Sequence, residues 1–339
     1  MTPNQATTKT YDPLEDRRPL AERSRHEICA LLKSGQPGVT RWNELRQQDQ
    51  GYAPDLSGLG FENLDLSGAD FSHAWLAGTF FAGSKLFKAD FARARTRKVG
   101  PESQNPPCPP VDFREAELGE AVFDKADLPG CRFDGAKLAR ARFIKSRLEG
   151  ASFEPNGEKA TVATEANFRS ADLRKVRAAE AIFEQACFKD AILDEASFRK
   201  ASLYESDLTE SSLDQTDFEG ADLMGATFRK ATGKGTIFRQ ANAYRTDFGE
   251  SKFEAAIFDQ AECREAVFFE ANLWRSRFAG TELVEADLSY ASFPETDLSG
   301  ANLSGTDLRG LGINRTTRLD QAQKAYILAR LAYECGLTD

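Results

Sequence analysis

The most regular feature of this sequence is a large apolar residue that recurs every five positions. The stretch FDGAKLARARFIKSRLEG, residues 133–150, contains four of them in succession: Phe133, Leu138, Phe143 and Leu148. A small residue stands two positions before each following large one, as Ala136 does before Leu138. A helix turns about 100° per residue, so a five-residue step would scatter the large residues around it, and a flat strand would send them alternately to opposite faces. The pattern therefore predicts a chain that makes a corner every five residues, with the large and the small residue both pointing inward.

Four such sides close a square coil of about twenty residues. Successive coils are then expected to stack in parallel at the strand spacing of about 4.8 Å, each bonding its backbone groups to the coils above and below. The three remaining positions of each five face water, which explains why charged residues, Ser and Gly crowd there. The repeat runs from about residue 54 to 313 and predicts about twelve coils, or about 55 to 60 Å of rod at that spacing.

Short segments of the chain match a known consensus, A-(D/N)-L-x-x. They read GADFS, KADFA, GADLM, EANLW, EADLS and GANLS. On these segments the sequence resembles the pentapeptide repeat family. The resemblance implies an all-β solenoid, a right-handed quadrilateral parallel β-helix, but no single activity, since a fold does not fix a function.

Breaks in the repeat predict the organisation of the chain. We expect a disordered tail at 1–18, a helical N-terminal cap at 19–52, a first repeat block at 53–93, a Pro-rich loop at 94–111, a second block at 112–314 and a C-terminal capping helix at 315–339. The cap should contain helices over about 20–33 and 40–48. A small bulge is predicted near 154–158, followed by a side centred on Val162 with Ala160 as its small partner. Solenoids need caps because their end coils expose unpaired edges.

Four inward positions hold residues smaller than the pattern demands. They are Ala178, Gly233, Ala243 and Cys263. Because protein interiors do not tolerate voids, either neighbouring Phe rings fill the space or the coil narrows and distorts a corner.

The C-terminal helix is predicted to begin with a capping box formed by Thr317 and Asp320. Its stripe of Leu319, Ala322, Tyr326, Ala329 and Tyr333 suffices to cover an open coil, yet further apolar residues lie off that stripe. Two interpretations stay open, a wide capping face and a two-fold homodimer, and the resemblance supports the second because gyrase-directed members of the family dimerise through such a helix. The predicted dimer residues are Tyr326, Ile327, Leu328, Leu331 and Tyr333.

Composition narrows the chemistry. The net charge is −9, which argues against direct nucleic-acid binding and against general affinity for anionic membranes, and no apolar run is long enough to cross a membrane. We expect a cytoplasmic protein with reduced, structural cysteines. His26 and His73 lie far apart and no Cys has a neighbouring base, so the sequence predicts no enzyme, cofactor or metal site. The segment ATGKGT at 231–236 is interpreted as a corner around Gly233, because it lacks the spacing of a phosphate loop.

The charges are banded along the chain. One stretch is wholly acidic on its outward positions: Glu205, Asp207, Glu210, Asp214, Asp217, Glu219 and Asp222. A second stretch is predicted to form a positive ring around the rod: Arg132, Lys137, Arg140, Arg142, Lys145 and Arg147. Outward aromatic residues are further candidates for an interaction surface, foremost Phe269, Trp274 and Tyr290.

Two functions follow as hypotheses. The first is a non-enzymatic scaffold that binds a protein partner, unknown from the sequence, in the manner of adaptors and effectors of bacterial secretion systems. The alternative comes from the resemblance: some family members bind DNA gyrase as rod-shaped mimics of DNA and confer resistance to gyrase poisons. The acidic band fits mimicry, whereas the basic ring argues against it, because a mimic needs a continuous negative face.

Overall fold

The computed structural model describes residues 11–96 and 108–334. Part of the predicted tail, 1–10, most of the predicted loop, 97–107, and the C-terminal residues 335–339 lie outside this description. Parallel backbone bridges recur once per five residues, from the Asp55–Trp75 pair to the Asp297–Arg318 pair. The described chain is therefore a four-sided coil stacked in parallel, as the five-residue spacing predicts.

Each side of a coil contributes one paired residue and one corner. The amide of Leu56 donates to the Trp75 carbonyl at 2.8 Å, and the Trp75 amide donates to the Pro54 carbonyl at 2.8 Å. At a typical corner the Ala74 amide bonds to the Phe71 carbonyl at 3.1 Å and His73 has a φ of 59°, which describes a type II turn. Only two segments of the described chain extend far enough to form strands, β1 (Thr232–Lys234) and β2 (Lys252–Glu254), and they pair in parallel.

The four faces of the solenoid are numbered here in the order in which the chain visits them. Face 1 contains the inward residue Phe71, face 2 Leu76, face 3 Phe81 and face 4 Leu86. Residues of the other coils belong to the face to which their backbone bridges connect them. Phe rings stack within faces 1 and 3, which lie opposite each other, and meet edge to edge across the interior. Their contacts in the first half of the rod include Phe91–Phe123 at 4.8 Å, Phe123–Phe143 at 4.7 Å and Phe113–Phe133 at 5.1 Å between ring centroids.

Neither interruption of the repeat breaks the stack. Phe80 bridges to Asp112 across the Pro-rich segment, so the coils on either side are consecutive. The second interruption lies where the bulge was predicted, and the backbones of Asn156 and Lys159 pair there in a small antiparallel hairpin. The predicted centre of the next side is wrong by one residue: Val162 bridges to Lys137, and the inward residues are Thr161 and Ala163. The insertion is five residues long, so inward positions keep their spacing of five from Phe153 through Ala163 to Phe168, and Ala163 takes the central slot.

Neighbouring Phe rings fill the space at two of the undersized positions, Ala178 and Gly233. Ala178 is a small residue on face 3, and the ring of Phe183 on face 4 occupies the interior beside it, 5.9 Å from Phe153 and 5.6 Å from Phe198. Above Gly233 on face 2 lies the ring of Phe253, which would be 3.1 Å from a Cβ at Gly233. At Gly233 the corner is also distorted, since β1 is extended where other corners turn. Both predicted outcomes therefore occur: neighbouring rings fill the space at Ala178 and Gly233, and the corner is distorted at Gly233.

The N-terminal region contains a short 3-10 helix (Leu20–Glu22), α1 (Arg25–Lys33) and α2 (Gln36–Gln48). Ser24 begins α1 with a capping box to Glu27. Residues 11–18 do not fit the expectation of disorder: the buried Arg23 side chain donates to the Asp16 carbonyl at 2.5 Å and holds this segment against the helices. A buried guanidinium needs several acceptors, and the tail supplies them as backbone carbonyls.

Side chains of α2 bond to backbone groups of the first coil. In later coils the equivalent backbone groups bond to the preceding coil. Trp42 Nε1 donates to the Asp70 carbonyl at 2.7 Å, and the Asp70 amide donates to Asn43 Oδ1 at 2.9 Å. Arg46 donates to the Ser72 carbonyl at 2.7 Å. These bonds take the place of a preceding coil, because buried backbone groups require partners.

The C-terminal helix α3 spans Gln321–Glu334. The predicted capping box is wrong by one turn: Asp320 is the N-cap, with reciprocal bonds of 2.9 Å to Gln323. Gln323 also donates to the carbonyls of Leu298 and Ala301 in the last coil. The inward stripe of α3 therefore begins at Gln323 and continues through Ile327, which is buried.

Candidate functional site

The acidic band surrounds one coil, and its members differ in what neutralises them. On face 3, Arg199 of the preceding coil lies 3.0 Å from Asp217 and 2.8 Å from Glu219. Arg239 of the following coil lies 3.9 Å from Glu219. The band contains only acidic residues along the sequence, but on this face it is neutralised, because stacking places residues about twenty apart next to each other in adjacent coils.

On faces 4 and 1 the same band has no ion pair in the described chain. The exposed carboxylate of Glu205 on face 4 accepts from Gln185 at 2.9 Å, and its hydrogen bond from Tyr204 lowers its pKa. Asp222, also on face 4, accepts from Asn242 at 2.9 Å. On face 1, Asp207 accepts from its own turn at the Thr209 amide, and Glu210 is exposed. Asp214 of face 2 likewise accepts from a backbone amide. These partners are neutral, so the carboxylates keep their full charge.

The basic ring does not act as a positive ring. Five of its six members pair with carboxylates, mostly from neighbouring coils: Arg132 with Asp134, Lys137 with Glu117, Arg140 with Glu165, Arg142 with Asp124 and Arg147 with Asp127. Lys145 has no ion pair within the described residues. The predicted positive ring is therefore wrong. Glu117 and Asp127 stand twenty positions before Lys137 and Arg147, and the stacked coils bring each pair together. Writing the sequence in rows of twenty would have revealed this pairing.

The candidate aromatic residues lie on two faces. Phe269 and Tyr290 are neighbours on face 1, with ring centroids 5.9 Å apart in an edge-to-face arrangement. Trp274 lies on face 2, where the guanidinium of Arg275 stacks over it at 4.3 Å. The sequence placed all three on the surface but did not show that two of them touch.

Trp274 also lines a groove that sequence reasoning missed. This groove has a volume of about 340 Å³ and is open to solvent on face 2. It forms where β1 and β2 replace turned corners, and Lys234 and Glu254 span it with a 3.3 Å ion pair. Gly233 was the only available signal, since it marks the distorted corner.

The dimer residues predicted on α3 do not share one exposed face. Leu328 is 68% exposed, Tyr326 is half-buried and Ile327 is buried in the solenoid core. Ile327 is therefore a packing residue and cannot contact a second copy. The side chains of Leu331 and Tyr333 lie outside the described part of the molecule, so the homodimer stays a prediction.

Two buried thiols and an N-terminal ion pair contribute to the packing of the described residues. Burial raises the pKa of the Cys131 and Cys263 thiols, and both fill inward positions of the coil. A hydrogen bond from Arg18, together with those from Ser24, lowers the pKa of Glu27 to about 2, and the Arg18 bond fastens the N-terminal segment to α1. In the described ranges, no group of His, Cys, Asp and Glu residues has an arrangement that could hold a metal ion. None of the helices in these ranges has the length and apolarity needed to span a bilayer.

A family model described as "Pentapeptide repeats" matches the chain in eight copies. The matched residues are 65–95, 112–154, 164–199, 191–229, 201–240, 221–261, 246–283 and 281–311. The chain belongs to the pentapeptide repeat family. Among curated proteins, no relative matches it.

Solved pentapeptide repeat structures resemble the chain at low identity. HetL, a pentapeptide repeat protein involved in heterocyst differentiation regulation from the cyanobacterium Nostoc sp. strain PCC 7120, is 21% identical, covering 79% of this chain and 92% of its own, with a TM-score of 0.34. QnrB1, a plasmid-mediated fluoroquinolone resistance protein, is 21% identical over 60% of this chain and 97% of its own, with a TM-score of 0.27. A pentapeptide repeat protein from the Arabidopsis thaliana thylakoid lumen is 21% identical over 48% and 77%, with a TM-score of 0.18.

Proposed function

We propose that this pentapeptide repeat protein is a non-enzymatic scaffold, a rod of about twelve coils capped at both ends, that binds a protein partner through faces 4 and 1. The observation that carries the proposal is the contrast between faces. Carboxylates of the acidic band are neutralised by Arg199 on face 3 but have no cationic partner on faces 4 and 1. Charges left without partners raise the potential of a surface and steer a complementary partner toward it.

The rigidity of the rod supports this function. In a typical five-residue unit three backbone amides bond to neighbouring coils, as those of Phe71, His73 and Trp75 do, and Phe and Leu side chains fill the interior of the described coils. A surface that is already ordered loses little conformational entropy on binding. Solenoids commonly act as extended binding surfaces for this reason.

The test is capture of a partner from native lysate with face-specific variants. Glu205→Gln with Glu210→Gln removes two charges from faces 4 and 1, and Asp217→Asn with Glu219→Gln removes two from face 3. We expect the first pair to lower recovery of cross-linked partners about ten-fold and the second to leave it within about two-fold, since exposed, already paired charges contribute little. Equal losses in both variants would contradict the assignment to faces 4 and 1.

DNA mimicry at gyrase is the second candidate. The unneutralised carboxylates on two adjacent faces favour it, because a mimic must present negative charge along one side of a rod. The basic ring is mostly neutralised by ion pairs, but it still interrupts the negative charge along faces 4 and 1. A gyrase supercoiling assay separates the two functions: inhibition or protection from a poison at micromolar protein would support mimicry, and supercoiling that does not change would leave the scaffold.

A further inference from the structure

Tyr290 stands in a backbone position that suits few side chains. Its φ is 58°, in the left-handed region, and it is the only Phe, Tyr or Trp with a positive φ among the described residues. The other corners of this kind hold Gly, Ala or a polar residue. A bulky side chain in this conformation costs free energy, and the ring is 60% exposed, so burial does little to offset that cost. A mostly exposed ring in a backbone position that disfavours it points to binding.

The ring of Tyr290 has a fixed place on face 1. Gly310 lies beneath it, where a Cβ would come within 2.6 Å of the ring carbon Cδ1. Phe269 meets it edge to face at 5.9 Å. Gly310 and Phe269 therefore hold the exposed ring in one orientation.

Three half-buried aromatic residues of the described chain already have an arginine stacked on the ring. Arg95 lies over Trp75 at 5.0 Å, Arg245 over Tyr244 at 4.8 Å and Arg275 over Trp274 at 4.3 Å. In the last two pairs the Arg follows the aromatic residue directly. At Phe269 the following residue is Glu270, and no cation of the described chain stacks on Phe269 or Tyr290.

Negative charge surrounds the pair. Glu270 occupies the same corner as Tyr290 one coil earlier, is exposed and has no ion pair in the described chain. Asp287 accepts from the Ser289 amide and hydroxyl but from no cation. Arg309 lies near Tyr290 and Asp287, yet its guanidinium is held by both oxygens of Asp307. The patch formed by Phe269, Glu270, Asp287 and Tyr290 is therefore aromatic and acidic, and the guanidinium beside it is already paired with Asp307.

We propose that this patch docks an arginine side chain of the partner protein. A guanidinium stacks on aromatic rings and forms paired hydrogen bonds with carboxylates, whereas the strongly hydrated lysine ammonium does both less well. The incoming arginine takes the role that Arg245 and Arg275 have at the other aromatic residues. This inference rests on the protein-binding function proposed above, and it names the chemistry of the partner at one place.

The test uses fluorescent hexa-arginine and hexa-lysine peptides, followed by fluorescence anisotropy at about 150 mM salt. The intact protein should bind hexa-arginine at least about five-fold more tightly than hexa-lysine. Tyr290→Ala and Glu270→Gln should each weaken hexa-arginine binding about five-fold or more. The matched controls are Tyr244→Ala and Glu265→Gln, which remove the same groups from a site where Arg245 already binds Glu265 at 2.7 Å.

The proposal is overturned if both sets of variants weaken binding equally, or if the two peptides bind with equal affinity. A stability measurement guards against a trivial cause: Tyr290→Gly should melt at the same temperature as the intact protein or higher, and a fall of several degrees would make Tyr290 a packing residue. If Tyr290→Ala still recovers partners from lysate and the intact protein shows no preference for arginine, the arginine-docking proposal is wrong but the protein-binding function stands. If the intact protein prefers hexa-arginine but recovers no partner from lysate, the patch binds arginine and the protein-binding function is contradicted.

Discussion

Two stretches of the solenoid reach the same filled interior in different ways. In residues 113–153, Phe alternates with Leu and the rings form two continuous stacks. In residues 178–263 the alternation fails, and rings from other faces move into the space, as Phe183 does beside Ala178 and Phe253 above Gly233. The interior is therefore filled to the same volume in both stretches, although the rings that fill it come from different faces, as expected of close-packed cores.

The regular stretch should suffer most from losing a ring. Phe123 stacks on Phe91 at 4.8 Å and on Phe143 at 4.7 Å, and it is fully buried. We expect Phe123→Ala to lower the free energy of unfolding by about 3–5 kcal/mol, because the stacked neighbours cannot close the cavity. Denaturant titration followed by circular dichroism measures the loss. A loss below about 1 kcal/mol would show that the stack collapses freely, contrary to the rigid interior described here.

The irregular stretch should tolerate an exchange of large and small residues. Ala178→Phe alone should destabilise by about 1–3 kcal/mol, because the ring of Phe183 already occupies the space. Adding Phe183→Leu restores the alternation seen in residues 113–153, so the double variant should regain most of the loss. The double-mutant cycle gives the coupling between the two positions, and additive effects would mean that Phe183 does not compensate for Ala178.

The smallest effect tests the distorted corner. A Cβ at Gly233 would lie 2.2 Å from Thr236 Oγ1 and 3.1 Å from the Leu213 carbonyl oxygen. We expect Gly233→Ala to cost about 1–2 kcal/mol, since the backbone oxygen cannot move aside as a side chain can. Denaturant titration again provides the measurement. Gly60→Ala is the control, because there the added carbon meets only the flexible end of the Glu62 side chain, and an equal loss at both sites would contradict the close approach.

The sequence predicted the coil but misplaced details that depend on short insertions and helix contacts. The period of five is a property of every unit, so dozens of repeats agree on it, and the Phe columns on opposite faces follow directly. The predicted centre after the bulge was wrong because the larger Val162 was taken for the inward residue, whereas the spacing of five, kept across a five-residue insertion, places Ala163 inward. On α3, the burial of Ile327 depends on how the helix lies across the last coil, which helical periodicity does not specify.

The surface shows most clearly what each level of description decides. The outward positions and the bands of charge can be read from the sequence, because the pattern within each five-residue unit is a local property. Which charges remain unneutralised depends on the stacked coils, since stacking brings residues twenty apart within ion-pair distance, as for Lys137 and Glu117. Stacking also placed Phe269 against Tyr290 and left that pair without a cation. The electrostatic potential of a face depends on distances between charges in space, so it cannot be obtained by adding charges along the sequence.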